Sequence, residues 1–422
     1  MSPLKVSLFD RPAGTLWRED GLDAPEDWRF RYDAAYVDAP SAVPLSCSLP
    51  LRSDRFEGAV VRNWFCNLLP EGLVRDAIVQ RLRLPQRDDL ALLAAIGGEC
   101  AGAVAVLPDG AAPAPAQADP IELEALIGAA DGALGEGDWG ALGGPHRLSL
   151  AGAQDKLAVV RMADGRLRLP ASGEPTTHLI KPESQRFPGL RDLEALGLSL
   201  ARHVGLPVPD FALIEVMNRR ALLLTRYDRV PSANDGQPQR LHQEDFCQAL
   251  GYPGELKYQS QGGPSLAQCA QLIRTGRRLG PQAVSAFLDW VIVTVLIGNA
   301  DAHAKNLALL CDASGRWSLA PFYDLVPTLV LPESLVERTP ALRIGQATRI
   351  DSVSAEDWTL FARETGYGPV YVRRRVAQLA ERMAQAMQAA CTALVDQGGD
   401  RQRLERACAI IAAQIGRVSA AV

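Results

Sequence analysis

The sequence predicts an α+β chain in two lobes, strand-rich in its first half and helical in its second. Short alternating segments such as LKVSLF (4–9), THLIKPE (177–183) and FALIEVM (211–217) have the period of half-buried strands. From about residue 241 apolar positions recur at helical spacing, most clearly in VYVRRRVAQLAERMAQAMQAACTALVDQ and RQRLERACAIIAAQIGRVSAA. Between these regimes the apolar run VIVTVLIGN (291–299) stops abruptly and opens into the polar stretch ADAHAKN.

Residues 1–108 read as a first α+β subdomain. LKVSLF is its opening strand, AGTL with Gly14 its hairpin turn, and WRFRYDAAYV (28–37) its second strand. VRNWFCNLLPEGLVRDAIVQRL (61–82) is helical with a break at Pro70-Glu71, and DDLALLAAIGGECAGAVAVL begins as helix and ends as strand. The Pro/Ala-rich stretch 109–120 is a linker. Residues 121–228 form a nucleotide-type lobe. It holds a short helix (IELEALIGAA), a hairpin turning at Ala151-Gly152-Ala153, the strand ending at Lys181 and an amphipathic helix at 192–205. Two more strands follow, joined by Asn218-Arg219-Arg220. Residues 229–422 are expected to be all-helical outside the loops at 299–327, starting with HQEDFCQALG.

Composition excludes several classes. With 47% hydrophobic and 22% charged residues the 422-residue chain is ordinary for a globular protein. A net charge of −5 creates no global field toward nucleic acid or membrane. Eight scattered cysteines form no C-x-x-C, so reduced core thiols are expected. The start MSPLKVSLFD lacks a signal-peptide core, and the longest apolar stretch (284–298) is interrupted by Asp289, so a cytoplasmic protein with no membrane contact is expected.

The chemistry concentrates in four places. Asp301 and Asn306 have the D-x-x-x-x-N spacing in which a carboxylate accepts a hydroxyl proton and an amide oxygen binds Mg²⁺. Asp324, in the next apolar segment, is a second hard-oxygen ligand for Mg²⁺. Lys181 can reach the phosphates of ATP, and Glu194 on the following helix can orient it. The turn from Ser149 to Lys156 can cradle phosphate through its backbone, with Gln154 and Lys156 adding polar reach. His303 and Lys305 stand beside the same loop as further nucleotide contacts. Each residue also has a structural reading. Lys181 can end an edge strand, Glu194 can sit at a helix N-terminus, Asp324 can cap a turn, and His303 can be a hydrogen-bonded core histidine. Their order along the chain favours the chemical reading.

Several motifs, LSLAGAQDKLAVV, THLIKPE, LLLTRYDR, LHQEDFCQALG, LIGNADAHAKNLALL and PFYDLVPT, resemble in succession those of the HipA family of serine/threonine kinase toxins. FCNLLPEG and IGGECAGAV resemble that family's N-terminal subdomain. The resemblance implies a two-lobed protein-kinase-like fold, with Asp301 as catalytic base, Lys181 on the phosphates, and Asn306 and Asp324 on Mg²⁺. It also implies that Thr225, Arg226 and Tyr227 form a hinge whose backbone meets adenine, and that Ser149 is an autophosphorylation site whose modification inactivates the kinase. Two positions depart from the family pattern: Asp155 stands where glutamate is usual, and Thr225 where an acid is expected.

The implied partners are a helix-turn-helix antitoxin of the HipB type, operator DNA through that complex, and an aminoacyl-tRNA synthetase substrate such as the glutamyl-tRNA synthetase. The basic runs VRRRV (372–376) and RQRLER (401–406) read as solvated helix faces. Beside a growth-arresting protein kinase stand two other readings: a small-molecule kinase of the same fold, and a non-catalytic corepressor on DNA.

Overall fold

The first two strands, Leu4–Leu8 (β1) and Arg11–Arg18 (β2), turn at Phe9-Asp10, whose φ angles of 52° and 58° are left-handed. This computed structural model describes residues 2–19, 24–110, 122–129, 154–171, 174–231 and 238–422. The turn expected at Gly14 is therefore misplaced. Gly14 lies within β2, where the register slips by one residue opposite Val6 and Ser7. A Cβ there would stand 2.4 Å from the Arg31 carbonyl oxygen, so only glycine lets the bulged strand close on its neighbour.

The second predicted strand also ends early. Trp28–Tyr32 is β3, and Ala34–Val37 becomes a helical turn, α1. With Phe56–Glu57 (β4) and Val104–Pro108 (β5) these strands form an antiparallel sheet of order β4-β3-β2-β1-β5. Ala59–Cys66 (α2), Gly72–Leu82 (α3) and Asp89–Ile96 (α4) complete the unit, with the break at Pro70-Glu71 where expected. Its core is aromatic, built on Trp28, Phe30, Tyr32, Trp64 and Phe65.

After a short helix, Leu123–Ala129 (α5), a second sheet uses Leu157–Arg161 (β6), Leu167–Arg168 (β7), His178–Pro182 (β8), Phe211–Val216 (β9) and Arg219–Thr225 (β10). Its order is β7-β6-β8-β10-β9. The β9–β10 hairpin turns on Met217-Asn218, both left-handed, which draws Arg219 and Arg220 into the strand rather than the turn. Between β8 and β9 runs Leu190–His203 (α6). Predicted to be amphipathic, it is buried on every side from Arg191 to Ala201, because it packs on β9 and β10 and also on two C-terminal helices.

Arg229–Val230 (β11) and Gln239–Arg240 (β12) make a small ribbon. Beyond it the α+β class holds, but the C-terminal half is not all-helical. His242–Asp245 (β13) pairs with Ala308–Cys311 (β14), which pairs with Trp317–Leu319 (β15). The helix expected from His242 starts only at Phe246 (α7, Phe246–Leu250), because Asp245 caps it by accepting from the Gln248 amide. Leu266–Gln271 (α8) precedes Pro281–Leu296 (α9), whose last ten residues are buried and whose Asp289 forms a two-point ion pair with Arg375 (2.6 Å on each oxygen). Ala355–Thr365 (α10), Pro369–Asp396 (α11) and Arg401–Ala420 (α12) enclose it in one large apolar core. All eight cysteines are free, and no helix among the described residues is long and apolar enough to cross a membrane.

Candidate active site

Strand β8, held against β10 with Lys181 opposite Leu222, carries the Lys181 side chain into the protein, where only 4% of the residue stays exposed. Its Nζ donates to Glu194 Oε1 at 2.7 Å and, from the other side, to Asp324 Oδ1. Burial alone would pull the ammonium's pKa down, but Asp324 and Glu194 hold it above its ordinary value. The two carboxylates respond in opposite directions. Burial raises Glu194, whereas Lys181 and then Lys156 outweigh burial at Asp324 and hold it well below the usual carboxylate range.

Asp324 reaches this point through a left-handed backbone (φ 52°) just after β15. Two loops are laced together around it. Asn299 Nδ2 donates to the Asp324 carbonyl (3.2 Å), Leu329 N to Gly298 O (2.9 Å), and Thr328 Oγ1 both donates to Gly298 O and accepts from Ala300 N. Gly298 (φ 70°) is required here, since a Cβ would meet Leu329 at 2.6 Å.

That lacing ends α9 and aims the polar loop. The Asp301 amide donates to Asn299 Oδ1 (3.1 Å), its carboxylate opens on the cleft, and Tyr258 donates its hydroxyl to Oδ1 at 2.8 Å. The enclosing walls raise the Asp301 pKa, with the Tyr258 hydrogen bond and then Lys257 working against them. His303 is buried, Nδ1 has no hydrogen-bond partner among the described residues, and burial pushes its pKa down to about 3. It is therefore a neutral side chain against Tyr258, with ring centroids 5.5 Å apart.

Gln154, Lys156, Lys181, Thr225, Arg226, Tyr227, Asp301, His303, Lys305, Asn306 and Asp324 all line one cavity of about 750 Å³, large enough for a nucleotide. Glu194 acts from behind Lys181. Ser149, Ala151, Gly152 and Ala153 lie outside the described residues. Two lining residues turn away from any ligand. Lys305 is buried against Asp245 (3.2 Å), Glu71 (3.4 Å) and Asn67. The Arg226 side chain is buried with Asp228 (2.7 Å) and Glu99 (3.3 Å). At the expected hinge the amides of Thr225 and Arg226 already donate to Asp210 O (2.8 Å) and Thr177 O (2.9 Å). Sequence reasoning gave no site role to Glu71, read only as a helix break, or to Asn299, read only as the end of an apolar run, and it passed over Lys257 and Tyr258 entirely.

The donor set fits Mg²⁺. Asn306 Oδ1 is buried without a partner among the described residues, and Asp324 adds a carboxylate. Among the described residues no three His, Cys, Asp or Glu side chains form a metal cluster. Lys156 completes the charge pattern. Desolvation and the neighbouring Lys181 lower its pKa to about 8.

A model of the HipA N-terminal domain matches residues 4–107, and one of the HipA-like C-terminal domain matches 148–391. The protein Y4mE of Sinorhizobium fredii is 39% identical over 375 residues, 86% of this chain and 87% of that one. The serine/threonine-protein kinase toxin HipA of Shewanella oneidensis is 29% identical over 362 residues, 82% of this chain and 81% of that one. Among solved structures, HipA of S. oneidensis MR-1, in complex with HipB and its operator DNA, superposes with a TM-score of 0.83 at 25% identity. The match covers 98% of this chain and 97% of that one.

Proposed function

Because the chain belongs to the HipA family, we propose that it is an ATP- and Mg²⁺-dependent serine/threonine protein kinase, the toxin of a toxin–antitoxin pair. One observation carries the reading: Lys181 is clasped between Glu194 and Asp324 in the same cavity onto which Asp301 opens.

In this mechanism the substrate hydroxyl gives its proton to Asp301 as its oxygen bonds to the γ-phosphorus and the bond to the departing ADP breaks. Lys181, kept charged by its carboxylates, binds phosphate oxygens. Asn306 and Asp324 would hold Mg²⁺, which when bound neutralises phosphate charge.

Phosphorylation of Ser149, in the segment that leads to Gln154 and Lys156, would add negative charge and oppose ATP by like-charge repulsion. The S. oneidensis complex supports a HipB-like antitoxin and, through it, operator DNA as partners. An aminoacyl-tRNA synthetase, the glutamyl enzyme first, is the substrate to test, in the cytoplasm.

Incubating purified protein with γ-labelled ATP and lysate tests the reaction class. Label is expected on serine or threonine of a protein, and absent with Asp301→Asn. Label in a small-molecule fraction would make it a different kinase. Equal growth arrest by wild type and Asp301→Asn would make it a binding protein. Phosphopeptide mapping checks Ser149.

A further inference from the structure

Tyr258 lies in a segment that no motif predicted, yet its hydroxyl donates to Asp301 Oδ1 at 2.8 Å. The other carboxylate oxygen carries no side-chain hydrogen bond among the described residues, and it is the one left to take a proton. The tyrosine is itself held at several points. Its ring stands edge-on to His303 at 5.5 Å and nearly perpendicular (87°). Gln259 N donates to Ala341 O (2.9 Å), and Ala341 N donates to Ala300 O (2.8 Å), so the residues next to Tyr258 and Asp301 are anchored on the same alanine. Lys257 pairs with Glu71 of the N-terminal unit at 2.9 Å. Gly263 N donates to Tyr258 O, and a Cβ on Gly263 would stand 2.0 Å from Leu256 O, so this turn has one tight geometry.

We propose that Tyr258 is a positioning residue for Asp301, fixing one carboxylate oxygen so that the other faces the acceptor hydroxyl. This rests on Asp301 being the base. Among the described residues the charged groups acting most on that carboxylate are Lys257, Asp324 and Glu71, with Glu337 acting on the Tyr258 hydroxyl and His303 neutral beside the tyrosine ring. Of these, Lys257 assists Tyr258 in favouring the ionised form, while Asp324 and Glu71 oppose it. Loss of the hydroxyl therefore raises the Asp301 pKa further and also frees the carboxylate to rotate.

The test uses the full chain with γ-labelled ATP and lysate protein, comparing wild type, Tyr258→Phe and Asp301→Asn. Tyr258→Phe is expected to lower kcat about tenfold, the effect of one hydrogen bond to a charged group, with KM for ATP unchanged. The acid limb of its kcat–pH profile should move to higher pH, with an unchanged melting temperature. Wild-type kcat and acid limb in Tyr258→Phe would overturn the proposal, as would a loss accompanied by lowered melting temperature and no shift of the limb. Transfer that survives Asp301→Asn would instead overturn the assignment of the base.

Discussion

Gly197 of α6 abuts Leu325 so closely that a Cβ on the glycine would lie 1.7 Å from the leucine carbonyl oxygen. Gly197 is three residues beyond Glu194, and Leu325 directly follows Asp324. The missing side chain thus sets the distance at which helix and loop can both reach Lys181.

Gly197→Ala should separate them. Backbone cannot yield as a flexible side chain does, so α6 must shift, at a cost of about 1–3 kcal/mol in stability. The larger effect is expected on chemistry. With Glu194 or Asp324 withdrawn, KM for ATP should rise and kcat fall by about tenfold or more, although Gly197 itself does not line the cavity. A folded Gly197→Ala variant with wild-type kinetics would show that the clasp on Lys181 is not set here.

Lys156 gives the alkaline side of the pH profile. Its pKa, drawn down to about 8 by desolvation and then by Lys181, means that its charge is present below that pH and lost above it. For the free enzyme kcat/KM for ATP should therefore fall above about pH 8. Lys156→Arg, which stays charged throughout, should move that limb up by more than one pH unit. An unchanged limb would assign it to another group.

Legibility in the sequence followed the range of the interactions. The long C-terminal helices and the break at Pro70 depend on local periodicity and on the missing proline N–H, and both were readable. Lys181, Glu194, Asp301, Asn306 and Asp324 were singled out by their order along the chain and the Asp-x4-Asn spacing, and the structure brings Lys181, Asp301, Asn306 and Asp324 to one cavity with Glu194 bonded to Lys181. His242–Asp245 was misread as helix because its strand partner, Ala308–Cys311, lies some sixty residues away. Gly14 was misread as a turn because its constraint is the Arg31 carbonyl on another strand. Lys305 sits in the catalytic loop, but its partners Glu71, Asn67 and Asp245 come from remote segments, and nothing local announces them.

His242 should make the fold acid-sensitive. It is fully buried among Phe9, Trp64 and Trp317, with Nε2 donating to Leu45 O (2.7 Å) and Nδ1 without a partner among the described residues. Burial pushes its pKa down to about 4, below the value near 6.5 of the unfolded chain. The unfolded state then binds more protons between these values. Stability from this site is complete above about pH 6.5 and is lost as pH falls toward 4, by up to about 3 kcal/mol. Urea midpoints between pH 7.5 and 5 should fall less steeply in His242→Gln than in wild type. Parallel slopes would exclude this histidine as the source.

The N-terminal unit and the nucleotide lobe share a buried ionic cluster, and Glu99 is its most exacting member. Its Oε1 accepts from Thr176 N (2.9 Å), Thr176 Oγ1 (3.0 Å), Arg229 (2.9 Å) and Arg226 (3.3 Å). The Asp228 carboxylate pairs with both guanidiniums and accepts from the Gly102 amide (2.7 Å), while Arg226 also donates to Thr176 Oγ1 and Cys100 O and Arg229 to Gly102 O. Arg226 and Arg229 thus face two carboxylates away from water, with Arg240 adding a third positive charge to the cluster, and burial alone would protonate Glu99 were the arginines not there to keep its pKa low. Glu99→Gln leaves Asp228 to compensate both cations, which should cost about 3–5 kcal/mol. Removing a cation at the same time, as in Glu99→Gln/Arg229→Met, restores the balance and should recover part of that loss. A double mutant whose urea-derived stability equals the sum of the single effects would show that charge balance is not what joins the two units at this point.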